Sequence, residues 1–389
     1  MKIKSLSYIL LLSGLLLLLL SNCKKETNVV VPPVILSHDS IKNNNIVSIL
    51  DYGANPASGF QDDTKNIQRA IDENPGKTIV FPAGWYHVTK DIVVGNSVEL
   101  VGEGKTNTIF QPVDCNGFVI TTGNVAIKNM FIYGYGSSSK TGICCSGVHN
   151  TVLENLTIQN IAYGIELVNA WDTKIDKVDI QINYDQTPQV AQGIRLNGQS
   201  VNNQISNCHI IANEYGISII KNGSNDAEGL MLTNTLIASC KAGIYSEGIL
   251  SLNVSNCIID LITGWGIHLV NSRGVLLSNN WIYTSANGDN PNDEAIHLES
   301  SIDCHISNNN IKCMTGSRAV SIISYSNNNT ITNNSIELGN LTGDHAFLDQ
   351  TTSYNLIKDN SMRWSSSEQS RIVNLGANNI IKDNLHVDN

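Results

Sequence analysis

The chain has 389 residues, a formal net charge of −10 at pH 7 and 41% hydrophobic residues. No Lys- or Arg-rich run interrupts that acidic balance, so nucleic acid is excluded as an expected partner. The length would hold two ordinary domains, but a repeat running through most of it argues for one elongated domain.

Met1-Lys2-Ile3-Lys4 and the apolar run from Tyr8 to Leu20 read as a secretory signal, with a basic start and a short apolar core. The run is too short for a comfortable membrane span. Leu20-Ser21-Asn22-Cys23 resembles a lipobox, with Asn22 departing from the usual small residue. Residues 1–23 are therefore expected to be a lipoprotein signal that leaves a lipidated Cys23 as the mature N-terminus. The expected location is the bacterial cell envelope, with the N-terminal lipid as the only membrane contact. Residues 24–45 are polar, contain Pro32-Pro33 and read as a flexible tether.

Residues 46–97 read as a cap. Asp62 or Asp63 can start a helix whose Ile67, Ala70 and Ile71 share one face, and Ile79 to Tyr86 reads as strand and turn. The first coil of a solenoid exposes its core unless something covers it, so a capping helix is expected there. Asp51-Tyr52-Gly53-Ala54, Asp62-Asp63-Thr64, Ile67-Gln68, Ala70-Ile71 and Phe81-Pro82-Ala83-Gly84-Trp85-Tyr86 resemble the N-terminal cap of the pectate-lyase-like superfamily. That group includes the rhamnogalacturonase/epimerase-type right-handed parallel β-helix proteins. The resemblance covers roughly residues 46 to 105; Pro56-Ala57-Ser58-Gly59 stands where the family usually has Gly-Asp-Gly. Gln61-Asp62-Asp63 matches the catalytic signature of polygalacturonases in letters, but it opens the cap helix, which makes it structural.

Residues 98–389 carry the repeat. Gly164-Ile165-Glu166-Leu167, Gly193-Ile194-Arg195-Leu196, Gly216-Ile217-Ser218-Ile219, Gly243-Ile244-Tyr245-Ser246 and Gly266-Ile267-His268-Leu269 are its clearest copies. It relaxes to Ala295-Ile296-His297-Leu298, Ala319-Val320-Ser321-Ile322 and Ala346-Phe347-Leu348-Asp349. A period of about 22 to 29 residues with strand alternation and no helical stripe predicts an all-β fold, a parallel β-helix of about eleven or more coils. Asn155, Asn207, Asn234, Asn256, Asn279, Asn308 and Asn333 each stand three residues before an Ile. They are expected at bends, bonded to the Asn above and below. The cysteines after Cys23 show no CxxC spacing and read as buried thiols, with Cys208 and Cys257 at one repeat position.

Stacked coils bring equivalent residues into columns. The outward residue of each copy reads Val119, Cys144, Glu166, Arg195, Ser218, Tyr245, His268, His297, Ser321, Leu348 and Val373, so ionisable and aromatic groups gather midway. Two further on, the reading gives Asn197, Glu247, Glu299 and Gln350. Extra residues at 183–192 and 285–294 are expected to wall a cleft, roughly 19 Å apart at strand spacing.

The richest cluster is Asp293, Glu294, His297 and Glu299, with His268 one coil below, Arg318 one above, and Asp344 and His345 two above. Polygalacturonase-like enzymes place their carboxylates and His at a similar location, but the register differs. Gly264-Trp265 and Arg318 replace their Asn-Thr-Asp and His-Gly, and only Asp293-Glu294 partly matches their Asp-Asp.

The leading expectation is an enzyme cleaving an extended, pectin-like or other acidic polysaccharide, with glycoside hydrolysis favoured over elimination or epimerisation because no basic groove awaits an anionic chain. In hydrolysis Glu294 or Asp293 would be the general acid and Asp344 would activate water, about 9.5 Å away and near the upper end of the inverting range. In elimination or epimerisation His297 or His268 would take the proton α to a uronate carboxylate while Arg318 stabilises the enolate. Tyr245, Trp265, Arg195, His345 and Glu299 complete the expected substrate-binding set. The bland alternatives are a solvated turn at Asp293-Glu294, a surface His ladder and a structural Glu166–Arg195 ion pair. No cofactor or metal is expected; the oxygen-rich stretch Asp289-Asn290-Pro291-Asn292 leaves calcium as the alternative. A non-catalytic, glycan-binding or structural lipoprotein is the competing class.

Overall fold

The computed structural model describes residues 45–387, apart from 57–60, 136–139, 183–190, 224–225, 286–293, 315–317, 340–342 and 365–370. The strands stack, coil on coil, into a parallel β-solenoid. A 25-stranded sheet wraps most of the surface, a 12-stranded sheet closes one flank, and Ala227–Glu228 pairs with Ile249–Leu250. The 12-stranded sheet runs in chain order from Ile92–Val94 to Ile372–Asn374.

The repeat explains the packing. In the Trp265–Val270 strand, Ile267 and Leu269 are fully buried, as are Ile296 and Leu298 in Glu294–Glu299. The glycine ahead of them is a matter of space. A Cβ on Gly216 would stand 2.2 Å from Cγ2 of Ile237, which reaches across from the opposite sheet.

The bend asparagines divide the labour differently from the expectation. Asn256, Asn279, Asn308 and Asn333 adopt positive φ near 57°, the left-handed conformation that Asn tolerates better than most residues. The residue after the bend, not the bend residue, points inward and stacks. Asn280 Nδ2 donates to Asn309 Oδ1 at 3.0 Å, Asn309 to Asn334 at 3.0 Å, Asn334 to Asn360 at 3.0 Å and Asn360 to Asn384 at 3.0 Å. Asn155 is an exception, donating to Asn129 at 2.8 Å.

At the N-terminal end the α-helix Thr64–Asp72 buries Ile67, Ala70 and Ile71, as expected of a cap. Asp62 Oδ1 accepts from the Thr64 backbone N–H at 3.0 Å, and Asp63 Oδ1 accepts from that of Asn55 at 3.0 Å. Asp62 and Asp63 of the Gln-Asp-Asp triplet thus brace the cap. Gln68 finishes the sheet edge: its amide accepts from Val93 N at 2.9 Å and donates to Val93 O at 2.8 Å. At the other end Leu375, Ile380 and Leu385 are exposed. All eight cysteines among the described residues are free thiols, seven of them buried.

Candidate functional site

The smaller sheet presents its chemistry in register. One column runs Glu166, Arg195, Ser218, Tyr245, His268, His297, Ser321 and Phe347. Leu348 was expected in it and is instead fully buried. Because Ala346 pairs with Val320 rather than Ala319, the outer residue of this copy comes one residue earlier, and Phe347 takes that place, paired with Val373 in the next coil. Gln350 likewise falls in the turn after the strand. A second column, just before the small residue of each copy, runs Gln192, Tyr215, Ala242 and Trp265, then Glu294, Arg318 and Asp344.

Glu294 is the hub. Only 3% exposed, it accepts from Ser321 Oγ at 2.7 Å, meets Arg318 Nη1 at 3.7 Å and is hydrogen-bonded to His297 Nδ1. Glu294 thus engages both carboxylate oxygens, Oε2 with His297 Nδ1 and Oε1 with Ser321, and Nε2 is the His297 ring nitrogen outside that bond. Arg318 also stands 3.9 Å from Asp344, and its guanidinium carbon lies 3.5 Å from the centre of the Phe347 ring. Arg371 reaches Asp344 Oδ1 at 3.0 Å. Burial raises the Asp344 carboxyl above its ordinary range, against the opposing pull of Arg371 and Arg318.

One coil down, His268 is 7% exposed, and among the described residues neither of its ring nitrogens has a hydrogen-bond partner. Burial, reinforced by neighbouring His297, lowers its pKa to about 4. The two rings meet edge to face at 4.6 Å, Trp265 packs 4.5 Å from His268, and Glu299 Oε2 stands 3.8 Å from His268 Nε2. Further along, Tyr245 stacks on Tyr215 at 4.9 Å and donates to Glu247 at 2.7 Å. Burial raises both phenols, with the Glu247 bond adding to the effect at Tyr245.

Glu294, His297, Arg318, Asp344, His268, Trp265, Glu299 and Tyr245 therefore share one flank. Arg195 lies farther along it, 3.7 Å from Glu166 and over the Tyr163 ring. His345 does not join them: it is fully buried, in the column of Ala319, and its Nε2 donates to the Arg363 carbonyl at 2.8 Å. Burial lowers its pKa below the ordinary imidazole range. Asp293, most of both extra-residue segments and Cys23 lie outside the described residues. Sequence reasoning missed Tyr215, Phe347 and Arg371. Tyr215 could have been found, since it precedes its Gly just as Trp265 precedes Gly266.

Residues 46–268 match the family described as rhamnogalacturonase A/epimerase, pectate lyase-like, and the chain belongs to it. A curated relative, the preneck appendage protein of Bacillus phage PZA, is 28% identical over 175 residues, which is 42% of this chain but 20% of that protein's length. Among solved structures, the mannuronan C-5 epimerase AlgE6 A-module of Azotobacter vinelandii superposes with a TM-score of 0.64 at 15% identity, covering 88% of this chain and 99% of that one. The DFA-IIIase of Arthrobacter chlorophenolicus A6, without its lid and in complex with GF2, gives 0.66 at 15% identity over 87% and 99%. These structural likenesses establish the right-handed parallel β-helix.

Proposed function

We propose that the chain is an enzyme acting on an extended acidic polysaccharide laid across the smaller sheet, moving the proton α to a uronate carboxylate. His297 Nε2 is the acceptor, oriented by Glu294. Arg318 faces the carboxylate and the enolate charge that develops on it. Loss of the sugar oxygen β to the carboxylate, protonated by water as it leaves, completes an elimination; delivery of a proton from water on the opposite face, with His297 passing its own to solvent, completes an epimerisation. Tyr215, Tyr245 and Trp265 offer ring faces to flanking sugars. The observation that carries this reading is the Glu294–His297 bond beside Arg318. It fixes the His297 ring with Nε2 as the nitrogen not bonded to Glu294, while both Glu294 oxygens are engaged by His297 and Ser321. The family description, naming a rhamnogalacturonase and an epimerase, supports a sugar-chain substrate.

Hydrolysis is the second reading, on one observation: the raised Asp344 carboxyl suits a general acid. The test is to incubate the full chain with polyuronates and neutral polysaccharides, following unsaturated products, epimer ratio and reducing ends. Unsaturation or epimerisation on a polyuronate is expected, falling at least about 100-fold in His297→Ala. Reducing ends without unsaturation would select hydrolysis. Binding without any product would place the protein among non-catalytic glycan binders. We further propose attachment to the cell envelope through a lipid on Cys23; incorporation of radiolabelled palmitate, lost in Cys23→Ser, is the check.

A further inference from the structure

We propose that His268, His297 and Glu299 form a binding site for a first-row transition-metal dication, with zinc the best fit. One ligand atom from each lies within 4.8 Å of the others. The three residues come from neighbouring coils that pair directly, His268 opposite His297 and Val270 opposite Glu299, so the stacking of the solenoid sets their spacing.

Two further observations point to a ligand. The first is His268 itself: a ring more than nine-tenths buried, with both nitrogens unbonded among the described residues and one of them 3.8 Å from the Glu299 carboxylate. A buried imidazole without a partner costs free energy, and a bound cation would satisfy it. The second is the support behind His297. Its Nδ1 is tied to Glu294, which Ser321 and Arg318 hold in turn, so Nε2 is the nitrogen left to take a cation. A carboxylate behind a histidine fixes ring and tautomer in the way metal-binding histidines require. Trp265 and Tyr245, 4.5 and 5.3 Å from the His268 ring, limit its rotation.

The donor set selects the metal. Two imidazoles and one carboxylate suit zinc and its neighbours, whereas calcium and magnesium favour all-oxygen shells. Three protein ligands leave a fourth position for water or a sugar oxygen. Small rotations of the Glu299 side chain, which is 41% exposed, would bring its oxygen to bonding distance.

The binding claim does not depend on the sugar chemistry. A consequence does rest on the function proposed above: proton and cation compete for His297 Nε2, so stoichiometric zinc should suppress turnover and a chelator should restore it.

The experiment is calorimetric titration of the full chain, purified in detergent and freed of metal with a chelator, using ZnCl2. Cobalt(II) absorption in the visible gives an independent reading of the ligand field. The expected result is one saturable site per chain, lost in His268→Ala and His297→Ala and weakened in Glu299→Gln. Glu294→Gln, which removes the support and no ligand, should weaken binding by about 10- to 100-fold. His305→Ala, on the other sheet, should leave it unchanged. Thermal melts confirm that each variant is folded. Absence of saturable binding by either metal, or binding that survives both histidine substitutions, overturns the site. Turnover indifferent to bound zinc leaves the metal site standing and removes His297 as the proton acceptor.

Discussion

The two halves of the solenoid fill the same interior position by different means. After the left-handed residues Asn129, Asn155, Lys177 and Asn207, the next side chains are Met130, Leu156, Val178 and Cys208, all buried. After Asn279, Asn308, Asn333 and Asp359 they are Asn280, Asn309, Asn334 and Asn360, equally buried. The first set relies on apolar contact. In the second each amide is fully used: Asn309 Nδ2 donates to Asn334 and to the Leu277 carbonyl, and its Oδ1 accepts from the backbone and side chain of Asn280. Methylenes tolerate sliding, whereas a ladder of amides pairs in one register only. The candidate site lies over the amide half, in the coils of Glu294–Glu299, Arg318–Ile323 and Asp344–Leu348. Its Glu294–Arg318–Asp344 and His268–His297 contacts run between coils, so they depend on that register.

Exchanging the two solutions breaks the comparison most sharply. Leu156→Asn removes a buried apolar side chain and strands an amide between Met130 and Val178. Adding a cavity-scale loss to an unsatisfied polar group gives a cost of about 4 kcal/mol. The reverse change, Asn309→Leu, keeps the branching but adds bulk, and it orphans the Asn280 N–H, the Leu277 carbonyl and one face of Asn334, for about 2–3 kcal/mol. Urea denaturation followed by circular dichroism measures both. An Asn309→Leu variant as stable as the parent would assign the ladder to register alone, and its metal or sugar binding would then be the property to fall.

The same contrast explains what was legible in the sequence. The fold was, because Gly, Ile and Leu recur at positions that backbone approach and core packing impose on every coil. The middle of the outward column was legible for the same reason: once Ile267 and Leu269 are known to face in, His268 must face out. Legibility failed where one residue does another's job. His345 occupies the slot that Ala319 and Ala295 fill, which hid its burial and moved Phe347 out of view. The bend asparagines stand out by spacing, yet most of the stacking belongs to their successors, which in the first half are not asparagines. Arg371 reaches Asp344 from the next coil through side-chain direction, which no spacing rule encodes.

The buried histidine sharpens the comparison through pH. Burial lowers the His345 pKa below the ordinary value of about 6.5 that it regains on unfolding. Between those two values the unfolded chain holds more protons than the folded one. The stability this neutral ring contributes is therefore complete above pH 6.5 and is lost as pH falls from there toward the folded value. His268, lowered to about 4, adds a slope of the same sign. In His345→Gln the loss of stability between about pH 7 and pH 5 should be shallower than in the parent. An unchanged slope would mean that His345 is protonated in the folded interior.

The smallest effect belongs to the last rung. Asn384 is half-buried, accepts from Asn360 N and Nδ2 at 3.0 Å each and donates to the Ile357 carbonyl at 3.1 Å, with no further asparagine stacked on it among the described residues. Water can replace what its removal leaves open, so Asn384→Ala should cost about 0.5–1 kcal/mol, well below Asn309→Leu, in the same denaturation assay. If burial on both sides gives the ladder its value, the cost must fall from Asn309 to Asn384. Equal costs would mean that each amide works only through its own coil's carbonyl, and the link between ladder and register would be lost with that result.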